Sequence, residues 1–302
     1  LVAAAAAGVV LMLMLASLRW PVQHDLPIML YDGWLVFGAG RAPYREIFEM
    51  NPPGSFLVYG LIDAITHGRD LPVRLLDLAG MLLLAGSTML ALKRHGARAG
   101  LIAACVFLLG YLMEGSGTSL QREYLLLLPL AWSLYLVLEA PVRHSWRHQF
   151  LLGLLAAVVI SVKPSLGLGW LVLSAGLIAR AWVARPEGAP RARIVLGSLA
   201  SFALGAGLVG LAVFAFLARA GAVTDFAQVT REYWPLYVQL DGGARVMPLP
   251  IGTLWAATML FGALAAIQHV PFTLAAGGGA LGLGLHTTSR ERVIEACVLG
   301  GA

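Results

Sequence analysis

Long apolar runs alternate with short polar segments along this chain of 302 residues. An uninterrupted apolar stretch of about 18 or more residues is typical of a helix that crosses a bilayer. Residues 1–18 form the first such run, for which a cleaved signal peptide is the alternative. We predict further spans at 72–92, 99–113, 121–139, 150–162, 166–183, 194–217, 251–266 and 272–285, with another starting at 293. The pattern predicts an all-α polytopic membrane protein of about 9–10 transmembrane helices.

Composition strengthens this interpretation, because charged residues make up only 12% of the chain and hydrophobic residues 59%. Soluble domains carry about 25% charged residues. The net charge of +5 does not indicate nucleic-acid binding, since the basic residues lie in short loops between the predicted spans. Cys105 and Cys297 fall in or beside apolar segments far apart in the sequence, so we expect two separate buried thiols.

The basic residues also predict how the chain crosses the membrane, because short loops rich in Lys and Arg face the cytoplasm. Eight Lys or Arg residues and one acid lie in three alternate loops, at 93–98, 141–148 and 184–193. The remaining loops then face outward: 19–71, 114–120, 163–165 and 219–250. This arrangement requires that the apolar segment 56–66 does not span, and its 11 residues form a helix of only about 16 Å. We therefore expect a juxtamembrane or re-entrant helix there, inside the first outer loop.

Glycine-rich runs occur twice inside apolar segments, at 205–210 and 277–284. The first matches G-x-G-x-x-G, but no strand precedes it, so the context of a dinucleotide-binding turn is missing. Both runs indicate close packing of helices through small residues.

The first outer loop contains the polar block HDLPIMLYDGWLVFGAGRAPYREIFEMNPPG at residues 24–54. Asp25 follows the first span by about six residues, at the expected boundary between lipid and water. A carboxylate in this position is a candidate general base. The alternative is that Asp25 caps the helix that begins near Leu26.

Basic residues at the outward turns are candidates to bind a phosphate: Arg45, Arg122 and Lys163. Lys163 lies in a turn of three residues next to Pro164. For each cation the alternative is a solvated or snorkelling side chain at the membrane interface. Polar and aromatic residues of the same loops are candidates to contact a sugar or an acceptor: Tyr44, Glu49, Asn51, Glu123 and Tyr233.

The polar block and the segments after it resemble the membrane glycosyltransferases of the GT-C superfamily, in the branch related to protein O-mannosyltransferases and lipid A aminoarabinose transferases. That family shows an early acid in the first outer loop, a G-x-x-P-Y-x-D/E run, Pro-Pro before a juxtamembrane helix, and Arg at the start of the next span. The matching residues are Asp25, Gly40, Pro43, Tyr44, Glu46, Pro52, Pro53 and Arg74. The run QREYLLLLPLAWSLYL at 121–136 and the Lys163-Pro164 pair are also similar, and the resemblance covers roughly residues 15–250.

The resemblance implies a helical bundle with a catalytic cavity on its outward side, beneath the first loop. It implies transfer of a sugar from a polyprenyl-phosphate donor to a lipid, glycan or protein acceptor outside the cytoplasm, in the bacterial inner membrane, with Asp25 as the catalytic base. No cofactor is required, and dependence on a divalent cation stays open. We expect a single GT-C-like domain over residues 1–302 that continues beyond Ala302, because the chain stops inside an apolar run. A secondary transporter and a non-catalytic membrane scaffold are the alternatives.

Overall fold

The computed structural model describes residues 2–93, 96–139, 145–183 and 191–236, and its regular elements in these ranges are helices. The α-helices are α1 (Val2–Ser17), α2 (Leu26–Phe37), α3 (Pro53–Thr66), α4 (Asp70–Ala91), α5 (Ala97–Glu114), α6 (Arg122–Leu125), α7 (Leu127–Glu139), α8 (Trp146–Val162), α9 (Leu168–Val183), α10 (Arg191–Arg219) and α11 (Val223–Gln228). Short 3-10 turns at Ser116–Thr118 and Pro164–Gly167 and a π-helical turn at Val229–Tyr233 complete the set. The all-helical class predicted from the sequence is confirmed for these residues.

Three helices are long and apolar enough to cross a membrane: α4 with 22 residues, α5 with 18, and Ala192–Arg219 of α10 with 28. The predicted spans at 1–18, 150–162 and 166–183 form apolar helices of 16, 17 and 16 residues. The predicted spans at 251–266, 272–285 and from 293 onward lie outside the described residues, as do Cys297 and the glycine run at 277–284. Cys105 is buried as a free thiol in α5.

The segment predicted as one span at 121–139 is divided at Leu126 into α6 and α7. Pro129 gives the physical reason, because a proline in the first turns of a helix has no N–H to donate to the carbonyl four residues earlier. That carbonyl belongs to Leu125, the last residue of α6. The break leaves Arg122 and Glu123 in a separate short turn at the mouth of the bundle.

Helix α3 has the short length expected for a segment that does not span. Its 14 residues give about 21 Å, against the roughly 30 Å of a bilayer core. It begins directly after the extended Pro52, with Pro53 in its first turn, and it ends at His67, whose backbone is left-handed (φ 51°).

Long-range hydrogen bonds gather one set of chain segments at one end of the bundle. We call this set, residues 19–71, 115–123, 162–167 and 220–236, the polar end. The bonds that join its parts run from Val22 N–H to Asp70 Oδ1 (2.8 Å), from Tyr59 Oη to Leu120 O (2.8 Å), from Ser55 Oγ to Val162 O (3.3 Å) and from Trp234 Nε1 to Met50 O (2.9 Å). The two long loops and the short turns that were predicted to share one side are therefore in contact.

A buried arginine ties the first helices together just below the polar end. Arg74 of α4 is 1% exposed and forms an ion pair with Asp77 one turn later. Its guanidinium donates to Ser17 Oγ of α1 (2.7 and 3.1 Å) and to Ser119 Oγ (2.9 Å), and it stacks on the Trp20 ring at 4.4 Å. A buried charge is stable only when it is paired and hydrogen-bonded, and Arg74 meets both conditions.

Asp77 carries this network into the turn between α5 and α6. It accepts hydrogen bonds from Tyr111 Oη (2.5 Å), Ser119 Oγ (3.0 Å) and the Leu120 N–H (3.1 Å). Leu120 has a left-handed backbone (φ 51°), which is rare for a side chain of this size. Such a conformation persists where surrounding contacts enforce it, and here Asp77 and Tyr59 hold both the N–H and the carbonyl of Leu120.

Helices α8 and α10 pack so closely that glycine is required where they cross. A Cβ atom at Gly205 would lie 2.9 Å from Leu154 N and 3.0 Å from Phe150 C. The run at 205–210 thus packs helices at Gly205, as predicted, whereas Gly207 and Gly210 have no atom within 4 Å of an added Cβ.

Candidate active site

Helices α2 and α3 form the floor of the candidate site, and a glycine contact sets their spacing. A Cβ atom at Gly33 of α2 would lie 2.6 Å from Tyr59 C and 2.7 Å from Gly60 Cα. No side chain fits in this gap, so the two short helices meet backbone to backbone. The contact holds Tyr59 against the first turns of α2.

Asp25 occupies the N-cap position of α2, but its carboxylate makes no capping hydrogen bond. The side chain is 48% exposed, and its Oδ1 lies 3.5 Å from His24 Nδ1. His24 has a left-handed backbone (φ 63°), and its Nδ1 lies 3.4 Å from Gln121 Nε2. The carboxylate thus stands beside the turn that leads to α6 and is open to solvent on one side.

Tyr59 links Asp25 to the cationic residues. The phenol is 1% exposed and donates its hydrogen bond to Leu120 O. Burial raises its pKa, the charge of Arg122 lowers that pKa, and the charge of Asp25 raises it. The acceptor Leu120 directly precedes Gln121 and Arg122, and Gln121 lies beside His24, the neighbour of Asp25.

Arg122 and Lys163 form the cationic side of the site. Arg122 Nη1 donates to Asn51 Oδ1, and Lys163 Nζ forms an ion pair with Glu123. Burial, followed by the charge of Arg122, lowers the pKa of Lys163, which places the two cations within electrostatic reach of one another. In the described part of the chain, the buried Nε of Arg122 has no hydrogen-bond partner. The cluster therefore offers a donor that a ligand can satisfy.

Asp32 and Glu49 form a pair of carboxyl groups beneath this cluster, and the sequence analysis singled out Glu49 but missed Asp32. Asp32 of α2 is 9% exposed, and its Oδ2 has no hydrogen-bond partner among the described residues. Burial raises the pKa of Asp32 to about 7, with a further contribution from the neighbouring Glu49 carboxyl. Asp32 lies two helical turns after Asp25, and that seven-residue spacing was the available signal, since it puts both carboxylates on one face of α2.

A cavity of about 10 Å³ adjoins this pair, close to the volume that one water molecule needs. It is lined by Met29, Asp32, Glu49, Asn51, Ser55, Phe56 and Tyr59. Glu49 is held in place by the Met50 and Asn51 N–H groups, at 2.6 and 2.9 Å. Among the described residues, no three His, Cys, Asp or Glu side chains are grouped as a metal site.

Tyr44 and Tyr233, which we predicted to contact a sugar or an acceptor, pack against aromatic rings in the structure. Tyr44 is 7% exposed, donates its hydroxyl to Asn51 O (2.6 Å) and packs its ring on Phe56 (centroids 5.4 Å apart). Tyr233 lies edge-on to Phe48, with ring centroids 4.8 Å apart. Because the Tyr44 ring also lies 5.0 Å from the Phe226 ring, both residues pack the second long loop against the first.

Arg45, the third predicted phosphate ligand, lies away from the other two. It lines a separate pocket together with Arg41 and Arg219. None of the residues that line this pocket lines the small cavity beneath Arg122. The structure thus groups Asp25, Asn51, Arg122, Glu123 and Lys163 and leaves Arg45 out of this group.

Comparison with protein-family models, with curated proteins and with solved structures finds no match for this chain. The chemistry of the site is therefore inferred from its own residues.

Proposed function

We propose that this protein is a membrane glycosyltransferase that moves a sugar from a polyprenyl-phosphate donor to an acceptor outside the cytoplasm. One observation carries the proposal: a half-exposed carboxylate, Asp25, lies beside the turn that leads to α6, and two cations stand at the same end of the apolar bundle, Arg122 in α6 and Lys163, which pairs with Glu123 of α6. Acid–base chemistry and phosphate binding are the two functions that such a set of side chains can combine.

In the proposed reaction, an acceptor hydroxyl attacks the anomeric carbon of the lipid-linked sugar. Asp25 takes the hydroxyl proton, the new carbon–oxygen bond forms, and the bond from the anomeric carbon to the phosphate oxygen breaks. The electron pair leaves with the polyprenyl phosphate. The exposed side of Asp25 gives an acceptor a route to the carboxylate.

Charge on the leaving phosphate is the main electrostatic demand of this reaction, and cations fixed in advance meet it best. Arg122 is held by Asn51 and keeps one buried N–H unpartnered in the described part of the chain. Lys163 is held by Glu123, so a phosphate would share or replace that carboxylate. Burial and the charge of Arg122 lower the pKa of Lys163, whereas a bound phosphate would raise it and so favour the protonated form.

Carboxylate and amide side chains next to the cations are suited to bind sugar hydroxyls. Glu49 and Asn51 line the small cavity under the cluster, and Glu123 stands beside Lys163. Asp32 joins them as the residue that the sequence analysis did not single out. We assign Glu49, Asn51 and Glu123 to the donor sugar, place Asp32 in the buried floor beneath them, and leave Tyr44 and Tyr233 to the packing of the loops.

The proposal includes a multi-pass position in the bacterial inner membrane, with the polar end facing outward. The three long apolar helices support a membrane location. The basic residues Lys93, Arg98 and Arg147 lie at the opposite helix ends from Asp25, as the rule for cytoplasmic loops requires. A donor with a long hydrocarbon tail also needs an enzyme embedded in the bilayer.

A secondary transporter is the main alternative, and it would be expected to carry charged residues within its membrane spans. Arg74 and Asp77 are such charges, since both are at most 1% exposed within α4. Their hydrogen bonds to Ser17, Ser119 and Tyr111 satisfy them without any ligand. This arrangement favours a structural clamp over an ion pathway.

The decisive experiment compares membranes that contain the wild-type protein with membranes that contain Asp25→Asn. Both receive a panel of radiolabelled polyprenyl-phosphate sugars, and transfer of label to membrane lipids, glycans and proteins is measured. We expect at least a 100-fold lower rate for Asp25→Asn, because a general base contributes about 10²–10⁴-fold.

Asp63→Asn is the matched control, since it neutralises another carboxylate of the first long loop, in the last turn of α3. We expect this variant to transfer label at the wild-type rate. Equal rates in Asp25→Asn and wild type would remove Asp25 as the base. Uptake of a free solute into proteoliposomes, without any transfer of label, would favour the transporter.

A further inference from the structure

A second pocket lies between the loop after α2 and the C-terminal end of α10, with a volume of about 660 Å³. It shares no lining residue with the small cavity at the candidate active site. Its upper wall carries Arg41, Arg45, Glu46 and Arg219. Its lower wall is apolar, with Phe37 and Phe216 stacked at a centroid distance of 6.0 Å.

The charges of this pocket do not cancel. Glu46 accepts from the Ala42 N–H at 2.7 Å and from Arg41 at 3.3 Å, and these interactions lower its pKa. Glu46 is therefore ionised and balances Arg41. Among the described residues, Arg45 and Arg219 have no ion-pair partner, so the pocket retains two positive charges.

The apolar wall continues onto a helix face that the described chain leaves open. Only three residues of the span Ala192–Arg219 are buried: Ser198, Gly205 and Leu217. Leu204, Leu208 and Leu211 are exposed and follow a spacing of four and three residues, which places them on one face of α10. Ala215 lines the pocket and lies four residues further along the same face. An acyl chain can therefore run from the pocket down this face.

We propose that this pocket binds the phosphate headgroup of an anionic membrane glycerophospholipid, whose acyl chain lies along α10. Arg45 and Arg219 bind the phosphate, since guanidinium groups match its oxygens in geometry and charge. The small side chains of Ala212 and Ala215 leave room for the glycerol and the first part of the chain. Free phosphate would leave the apolar wall uncovered.

The sugar donor of the proposed reaction does not fit this position. Its phosphate is bonded directly to the sugar, so it must lie within a few ångströms of the base. Asp25 precedes the first residue of α2, whereas Phe37 at the pocket is the last, and 12 residues of helix span about 18 Å. The pocket is thus a lipid site distinct from the candidate active site, and its occupancy does not depend on sugar transfer.

Native mass spectrometry of the purified full chain in detergent tests this proposal. The probes are phosphatidylglycerol, phosphatidylcholine, glycerol phosphate and undecaprenyl phosphate, and the measured quantity is the retained adduct at each concentration. We expect one phosphatidylglycerol to be retained more tightly than phosphatidylcholine or glycerol phosphate. The double variant Arg45→Gln/Arg219→Gln should lower that affinity by about fivefold per arginine, thus about 25-fold.

The matched control is Arg19→Gln/Arg69→Gln, which removes the same charge from two exposed arginines of the polar end outside the pocket. It should bind phosphatidylglycerol as the wild type does. If the pocket double variant does not fold, Ala215→Phe fills the pocket without removing charge and should abolish the same adduct. Unchanged retention in the pocket variants, or a pocket-dependent adduct with undecaprenyl phosphate alone, would overturn the proposal.

Discussion

Replacing Asp77 by Asn removes the charge that balances Arg74 inside the bundle while the side chain keeps its size. Oδ2 of Asp77 accepts from Arg74 and from Ser119, and an amide NH2 in that position cannot accept. The bonds that Oδ1 receives from Tyr111 and from the Leu120 N–H can persist. The perturbation is thus confined to the side of the network that faces Arg74.

The expected loss of stability follows from the burial of the Arg74–Asp77 pair. Arg74 and Asp77 are 1% and 0% exposed, and breaking a buried pair by removing one charge costs about 3–5 kcal/mol. The Arg41–Glu46 pair, with side chains 59% and 37% exposed, is screened by solvent and contributes far less. At about 2–4 °C per kcal/mol for a chain of this size, we expect Asp77→Asn to lower the melting temperature by about 6–20 °C.

Thermal unfolding of the purified protein in detergent, followed by circular dichroism, measures this difference. Glu46→Gln is the matched control, because it neutralises one carboxylate of an exposed pair. The double variant Arg74→Met/Asp77→Asn should recover most of the loss, since no unbalanced buried charge remains. Equal melting temperatures for Asp77→Asn and Glu46→Gln would refute a stabilising role for the buried Arg74–Asp77 ion pair. Equal losses in the single and double variants would show that charge is not its basis.

Three further predictions concern the floor of the candidate site. Burial raises the pKa of Asp32 to about 7, above its unfolded value of 3.8, so the folded state binds the proton more tightly than the unfolded state. The protein should therefore lose on the order of 4 kcal/mol of stability as the pH rises from about 4 to about 7. The variant Asp32→Asn should flatten this pH dependence in melting curves and should melt at a higher temperature than the wild type at pH 8. Gly33→Ala should destabilise the protein by about 1–3 kcal/mol in urea titrations, because its Cβ would lie 2.7 Å from Gly60 Cα. Tyr59→Phe leaves the buried Leu120 carbonyl without its donor and should cost about 1–3 kcal/mol in the same titration.

Each of these predictions has a control within the chain. Asp70→Asn should keep the wild-type pH dependence, and identical melting curves for Asp32→Asn and wild type at pH 8 would contradict the buried acid. Gly86→Ala meets no atom within 4 Å in α4, so it should not destabilise. A Tyr31→Phe variant changes an exposed phenol and should leave stability unchanged. A loss as large as that of Tyr59→Phe would show that the Leu120 bond is not responsible.

The positions of the helices could be predicted from the sequence because each apolar run is a local signal. The structure begins and ends α4, α5 and α10 within a few residues of the predicted spans. The division of the run at 121–139 had a local cause in Pro129, and the sequence analysis overlooked it. The transmembrane spans predicted at 251–266 and 272–285 remain predictions, since they lie outside the described residues.

The residues of the candidate site could be predicted from the sequence only in part. Asp25, Arg122 and Lys163 were selected because polar residues are conspicuous beside apolar spans, and the structure places them together at the polar end. Arg45 was selected for the same reason, yet it lines another pocket. Nothing in the local sequence shows the direction of its side chain, because that direction depends on the left-handed backbone of Tyr44 and on the ring packing that holds it.

The sequence by itself determined the helical class, the membrane-length spans and the set of charged residues near their ends. These follow from periodicity and hydrophobicity, which act within a few residues. Only the tertiary structure decided which of those residues meet: that Asp32 lies buried beside Glu49, and that Arg74 and Asp77 clamp the turn carrying Leu120. These contacts join residues far apart in the chain, so they arise from helix packing and not from any local pattern.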